Sequence, residues 1–211
     1  MIILVGTSHI SPKSIKRIKE EMEKGPDCVA VELDEGRYRA LKSGESEGYP
    51  SVFFRILSWI QKKLGEKTGV LPGEEMLTAT EEAGKRGINV YLIDRPIHGT
   101  IQGFRKVGAM EKARLFLSSF LSFRKLKGRK FDLNEVPSYE IIKESLDLME
   151  KKAPKMYSVL VEERNDVMAT VLEELQKEED TVLAVVGAGH LPGIKRRLDE
   201  RDIEYVNNTF K

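Results

Sequence analysis

Two segments of the chain place a histidine three residues after a glycine at the end of an apolar run, Gly6-Thr7-Ser8-His9 and Gly187-Ala188-Gly189-His190. The chain has only three histidines, so two of them in one local setting form a pattern. Two imidazoles with one or two carboxylates are a recurring ligand set for a divalent metal, which lowers the pKa of bound water and polarises a carbonyl. Glu32, after the run Val29-Ala30-Val31, supplies a carboxylate as ligand or as general base. Arg95 or Arg164 is suited to steady an oxyanion. Gly6, Gly187 and Gly189 let the backbone approach a ligand closely. A structural reading stays open beside this one. Each glycine turn then serves geometry alone, its histidine caps a helix, and Glu32 and Asp94 form ion pairs with Arg37 and Arg95. His98, after Pro96, reads as an incidental polar loop residue.

These residues need a scaffold that brings them together. Residues 2–5, 28–33, 89–93, 182–186 and 203–206 are short, β-branched and nearly continuous apolar runs. Such runs suit strands buried on both faces of a parallel sheet. Residues 12–24 read as a helix, with Ser11 to cap it, Pro12 at its first position and Ile15, Ile18 and Met22 on one face. Residues 74–86 read as the helix before the third strand, stopped by Gly87. Residues 105–176 are helical in pattern, strongly basic at first and then acidic, and form a helical insertion between the third and fourth strands. The expected fold is α/β, one domain over 1–211, with a mainly parallel central sheet flanked by helices. In such a sheet the ligand crevice lies at the carboxyl ends of the strands. Both G-x-x-H turns fall there, with Glu32 and Asp34 after the second strand and Asp94 and Arg95 after the third.

Composition excludes several classes. Of 211 residues, 35 are basic and 34 acidic, against the uniformly basic charge of a nucleic-acid-coating protein, and no specific nucleic acid is expected. A single cysteine, Cys28, rules out an internal disulfide framework and reads as a core residue. The abundance of Lys, Glu and Arg with scarce Gln and Asn is thermophile-like. Gly187-x-Gly189-x-x-x-Gly193 is one residue too long for a dinucleotide loop. Residues 52–64, rich in aromatic and aliphatic side chains, read as a buried helix or as one offered to a protein partner or a membrane surface.

The segments GTSHIS at 6–11, VAVELDEGRY ending at Tyr38, LPGEEM at 71–76, LIDRPI at 92–97, ERNDVMA at 163–169 and VVGAGHLPGI at 185–194 together resemble the TraB/PrgY family of pheromone-shutdown proteins. That family is similar to the TIKI metalloproteases and, more distantly, to the GumN, ChaN and erythromycin esterase groups. The resemblance implies a metal-dependent hydrolase site of His9, His190 and Glu32. Arg37, Asp94, Arg95, Glu163 and Arg164 occupy its site or supporting positions. Where the family motif reads Glu-Arg-Asp, this chain has Glu163-Arg164-Asn165-Asp166.

The expected function is therefore a metal-dependent, peptidase-like hydrolase using a divalent ion such as manganese, cobalt or zinc on a peptide or similar acyl substrate. The alternatives are a non-catalytic peptide-binding protein of pheromone-shutdown type and a membrane-associated regulatory domain. A cytoplasmic location is expected, with a membrane tether only if the chain continues past Lys211. The oligomeric state stays open, a homodimer included.

Overall fold

The computed structural model describes residues 1–8, 11–43, 73–112, 114, 138–198 and 203–205. The five apolar runs form strands β1 (Ile2–Thr7), β2 (Cys28–Val31), β3 (Asn89–Leu92), β4 (Val182–Gly187) and β5 (Ile203–Tyr205) of one sheet. Its order is β3-β2-β4-β1-β5 and all its pairings are parallel. The α/β class and the parallel sheet stand as expected from the sequence.

Strands buried on both faces need helices on both sides, and the chain supplies them. One face carries Ile3, Val5, Val29, Val31, Leu183 and Val185 against Ile18 and Met22 of α1 (Pro12–Glu23) and Met76, Ala79 and Ala83 of α3 (Glu74–Arg86). The alternate residues Ile2, Leu4, Cys28, Ala30, Val182 and Ala184 meet the other layer. There Met168, Leu172 and Leu175 belong to α7 (Glu163–Glu178), while Leu191 and Ile194 belong to α8 (Leu191–Lys195). Each Val, Leu, Ile or Met among them, fully buried, contributes about 1.5–3 kcal/mol. Cys28 is a core residue.

Helix ends follow local chemistry. Gly87 closes α3 at φ +69°, the left-handed conformation that glycine adopts without strain. Pro12 stands in the first turn of α1. Ser11 occupies the position expected for a cap, but its side chain makes no cap hydrogen bond; the Ser14 hydroxyl instead accepts the Ser8 N–H at 3.1 Å. After β2 comes α2 (Glu35–Ser43), capped by Asp34, whose Oδ1 accepts the N–H groups of Gly36 (3.0 Å) and Arg37 (3.3 Å).

Among the described residues, the chain between β3 and β4 is helical: α4 (Ile97–Lys106), α5 (Tyr139–Lys152), the short α6 (Pro154–Tyr157), a π-helical segment at Ser158–Glu162, then α7. His98 lies in the first turn of α4, not in a loop, and is exposed. The apolar segment 52–64 and most of the basic stretch 105–130 lie outside the described residues. Among those described, no helix is long and apolar enough to cross a membrane.

The connections fix where a ligand can enter. β1 leads to α1 on one face of the sheet, and its neighbour β4 leads to α8 on the other. Where adjacent strands send their connections to opposite faces, a crevice opens beyond their carboxyl ends. The two G-x-x-H turns begin at that point.

Candidate functional site

Register aligns the turns. Thr7 pairs with Gly187 at the ends of β1 and β4, and the Ala188 N–H donates to the Thr7 carbonyl at 2.9 Å. Backbone bonds carry the ladder one step past the strand ends. The Glu32 N–H donates to Val185 (3.0 Å) and the Asp94 N–H to Leu33 (3.1 Å). Glu32, Asp94 and His190 are therefore held at one edge on rigid backbone, each at most 7 % exposed. His9 lies outside the described residues.

Buried carboxylates need partners, and here arginines provide them. Arg164, on the first turn of α7, reaches back across the edge. Its Nε donates to Asp94 Oδ1 (3.0 Å), and its Nη2 donates to Asp94 Oδ2 (2.5 Å) and to Glu32 Oε1. Arg37 links Asp34 Oδ2 (2.6 Å) to Asp94 Oδ2. Arg95 pairs with Glu163, whose other oxygen accepts the Ser158 hydroxyl at 3.2 Å. The Gly187 N–H donates to Glu32 Oε2 at 2.5 Å. Burial alone would raise the Asp94 carboxyl, but the Arg164 hydrogen bonds and the charges of Arg164 and Arg37 overcome it and hold it below its ordinary value. Arg164 is correspondingly held more firmly protonated by Glu32 and Asp94, despite its burial.

His190 is fixed from the other side. Its Nδ1 lies 2.7 Å from Asn165 Oδ1, and its Nε2 lies 3.4 Å from Glu32 Oε1. With the Asn165 oxygen turned toward the ring, the proton is assigned to Nδ1 and the lone pair to Nε2. Asn165 is fully buried, its Nδ2 has no hydrogen-bond partner among the described residues, and it presses on α8 where a Cβ at Gly193 would stand 1.9 Å from that nitrogen.

The structure thus brings together Glu32, Arg37, Asp94, Arg95, Glu163, Arg164, His190 and Gly187. The ion pairs differ in partner from the simplest sequence reading. Arg95 meets Glu163 through its side chain, touching Asp94 only through its backbone N–H (2.7 Å), and the central cation is Arg164. Gly189 needs no special backbone conformation, and a Cβ there would meet nothing among the described residues within 4 Å. One participant was missed by sequence reasoning, Asn165, while Asp34 was placed at this edge without a role. The signal for Asn165 lay in its place within the ERNDVMA segment, where it reads as a departure from an acidic motif.

A metal fits part of this arrangement. Two ligands of one tetrahedral ion with bonds of 2.0–2.1 Å stand about 3.3 Å apart, and an imidazole ligand characteristically donates its second N–H to an oxygen acceptor. The Glu32–His190 separation and the Asn165 contact meet both conditions. Among the described residues, however, no group of three His, Cys, Asp or Glu side chains could hold an ion, so this pair would need a further ligand.

The TraB/PrgY/gumN family profile matches residues 55–205. An uncharacterized protein of Methanocaldococcus jannaschii is 36% identical over 214 residues, covering 93% of this chain and 53% of its own length. The TraB domain-containing protein of Homo sapiens is 27% identical over 241 residues, covering 92% of this chain and 62% of its own length, and its Bos taurus counterpart is equally similar. The chain spans between half and two thirds of the curated relatives it matches. On the strength of this profile match and the long alignment to the archaeal protein, the chain belongs to the TraB/PrgY/gumN family.

Proposed function

We propose that the crevice is the active site of a hydrolase acting on a peptide or similar acyl substrate, with Glu32 and His190 as the pair on which the chemistry turns. The observation that carries this is the contact between them. With Nδ1–H given to Asn165, the lone pair of His190 Nε2 faces a carboxylate oxygen at 3.4 Å. Two acceptors face each other favourably only with a proton or a cation between them. The surrounding charge points the same way. Among the described residues, four carboxylates (Glu32, Asp34, Asp94, Glu163) stand against three guanidiniums (Arg37, Arg95, Arg164), leaving one negative charge for a proton or cation to balance.

In this reading His190 and Glu32, with His9, hold a divalent ion of the manganese, cobalt or zinc kind. When bound, such an ion would bring the pKa of a ligated water toward neutrality and polarise a carbonyl. Glu32 would be the base placed to accept a proton from such a water. Arg164 has each guanidinium nitrogen engaged, Nη1 with the Leu160 carbonyl at 3.4 Å, so it positions Glu32 and does not meet substrate. Among the described residues the Arg95 guanidinium bonds only Glu163, through Nη1, which leaves Nε and Nη2 to steady the oxyanion.

One observation favours a second reading, peptide sequestration without cleavage. Both Glu32 oxygens already accept donors, from Arg164 and from Gly187, as in a site built for holding charge. Incubation with a mixed peptide pool, followed by mass spectrometry, separates the two. The hydrolase reading expects cleavage that falls at least 100-fold in Glu32→Gln. Peptide binding without cleavage by the unaltered protein would favour sequestration.

A further inference from the structure

A cavity of about 530 Å³ opens beside the crevice, between α4 and the α6–π segment, and shares Arg95 and Glu163 with the charge network. Its volume lies within the range of small-ligand sites, about 300–1,000 Å³. Glycines shape the α4 wall. A Cβ at Gly99 would stand 2.8 Å from Arg95 Nε, and one at Gly103 would stand 2.8 Å from Val159 Cγ2. Gly99 thus lets the Arg95 guanidinium lie flat against the helix, and Gly103 lets α4 pack closely on the π segment.

The charge of this wall is one-sided. Arg95, Lys106 and Lys155 line it against one carboxylate, Glu163, and that carboxylate is already held by Arg95 and by the Ser158 hydroxyl. Lys106 and Lys155 have no hydrogen-bond or ion-pair partner among the described residues. Two uncommitted ammonium groups and a half-occupied guanidinium around one cavity attract an anion. Arg95 connects the two regions, since it belongs both to the cavity wall and to the crevice network.

We infer that this cavity is a substrate subsite that takes a carboxylate carried by a peptide, with Lys106 and Lys155 as its specificity residues. The inference rests on the crevice being the reacting site, and it gives that site a substrate class: acidic or carboxyl-terminated peptides. A bound carboxylate pairs with the lysines while the adjoining amide lies toward Arg95 and Glu32.

The test uses the intact protein and three fluorescein-labelled tetrapeptide pools of mixed sequence. One has a free terminal carboxylate, one is the neutral amide, and one is the amide with an internal glutamate. Anisotropy is measured at low ionic strength in the presence of a chelator, so that affinity does not depend on a metal. At least tenfold tighter binding of either carboxylate pool over the neutral amide is expected, and which of the two binds identifies the source of the group. In Lys106→Glu/Lys155→Glu the preference should vanish. Both positions are exposed, so the fold should survive this change. Equal affinities for all three pools, or a preference unchanged in the double variant, would overturn the inference. A carboxylate preference that vanishes in the double variant, in an unaltered protein that cleaves no peptide, would count against the hydrolase reading alone.

Discussion

Asn165 illustrates how much of the site depends on one side chain that does no chemistry itself. It is sealed between α7 and α8, and its oxygen is the partner that the structure gives to His190 Nδ1. Removing an outer partner of this kind typically costs about 10–100-fold in metal affinity or activity. Asn165→Ala should lower turnover by that order, while Asn165→Asp, which keeps the acceptor, should recover most of it. The imidazole 15N shifts of His190 provide the decisive readout. They should change tautomer signature in Asn165→Ala, and unchanged shifts would deny Asn165 a positioning role. At this scale the sequence revealed residue types but not partners. Histidine scarcity, glycine turns and polar residues after apolar runs located His190, Glu32 and Asp94. That Arg95 would meet Glu163 and Arg164 would take both Glu32 and Asp94 depends on side chains 68 to 132 positions apart, which no local pattern encodes. Asn165 was passed over because an amide in place of an expected acid looks like a loss, whereas buried against a histidine it is a neutral acceptor that carries no charge penalty.

Among the elements, the π-helical segment Ser158–Glu162 links the cavity wall to α7. It stands immediately before Glu163, Arg164 and Asn165. A π turn adds a residue to the helical repeat and turns everything after it relative to what precedes, a feature found often at functional sites. Here it allows α6 and the cavity wall to face α4 while α7 sends Arg164 to the sheet edge. Deleting Leu160 should restore α-helical spacing and turn the preceding segment by about 100° relative to α7. The expected outcome is retained helical circular dichroism, a lower melting temperature from disturbed packing of Met156 and Leu160, and loss of peptide turnover; retained turnover would contradict this role. The strands and the helices α1 and α3 were readable because each carries its own periodicity and punctuation, from Pro12 to Gly87. The π segment was not, since one extra residue in a helix changes neither composition nor apolar spacing enough to be seen.

At the scale of the whole molecule, the parallel sheet and the charge network depend on each other. Four strands deliver their ends to one edge, and the half-buried arginines there keep the carboxylates from opposing the fold. Asp94 sets a pH dependence. Its folded pKa is depressed below the ordinary 3.8, so the stability it contributes is fully present above that value and is lost as pH falls through the folded pKa. Urea unfolding below about pH 4 should therefore show stability falling with acidification, and a shallower fall in Asp94→Asn. At neutral pH that variant should lose about 1.5–3 kcal/mol, because the half-buried Arg37 and Arg164 lose their shared partner while keeping Asp34 and Glu32. Equal pH slopes in the two proteins would remove Asp94 from this role. The central claim, that His190 and Glu32 face each other across a cation with His9, is tested most directly by metal analysis of the purified protein. Manganese, cobalt and zinc would each be titrated by calorimetry into the unaltered chain, His9→Ala and His190→Ala. The account predicts one divalent ion per chain and an affinity reduced at least 100-fold in either variant. No bound ion, or equal affinity in all three proteins, would contradict it.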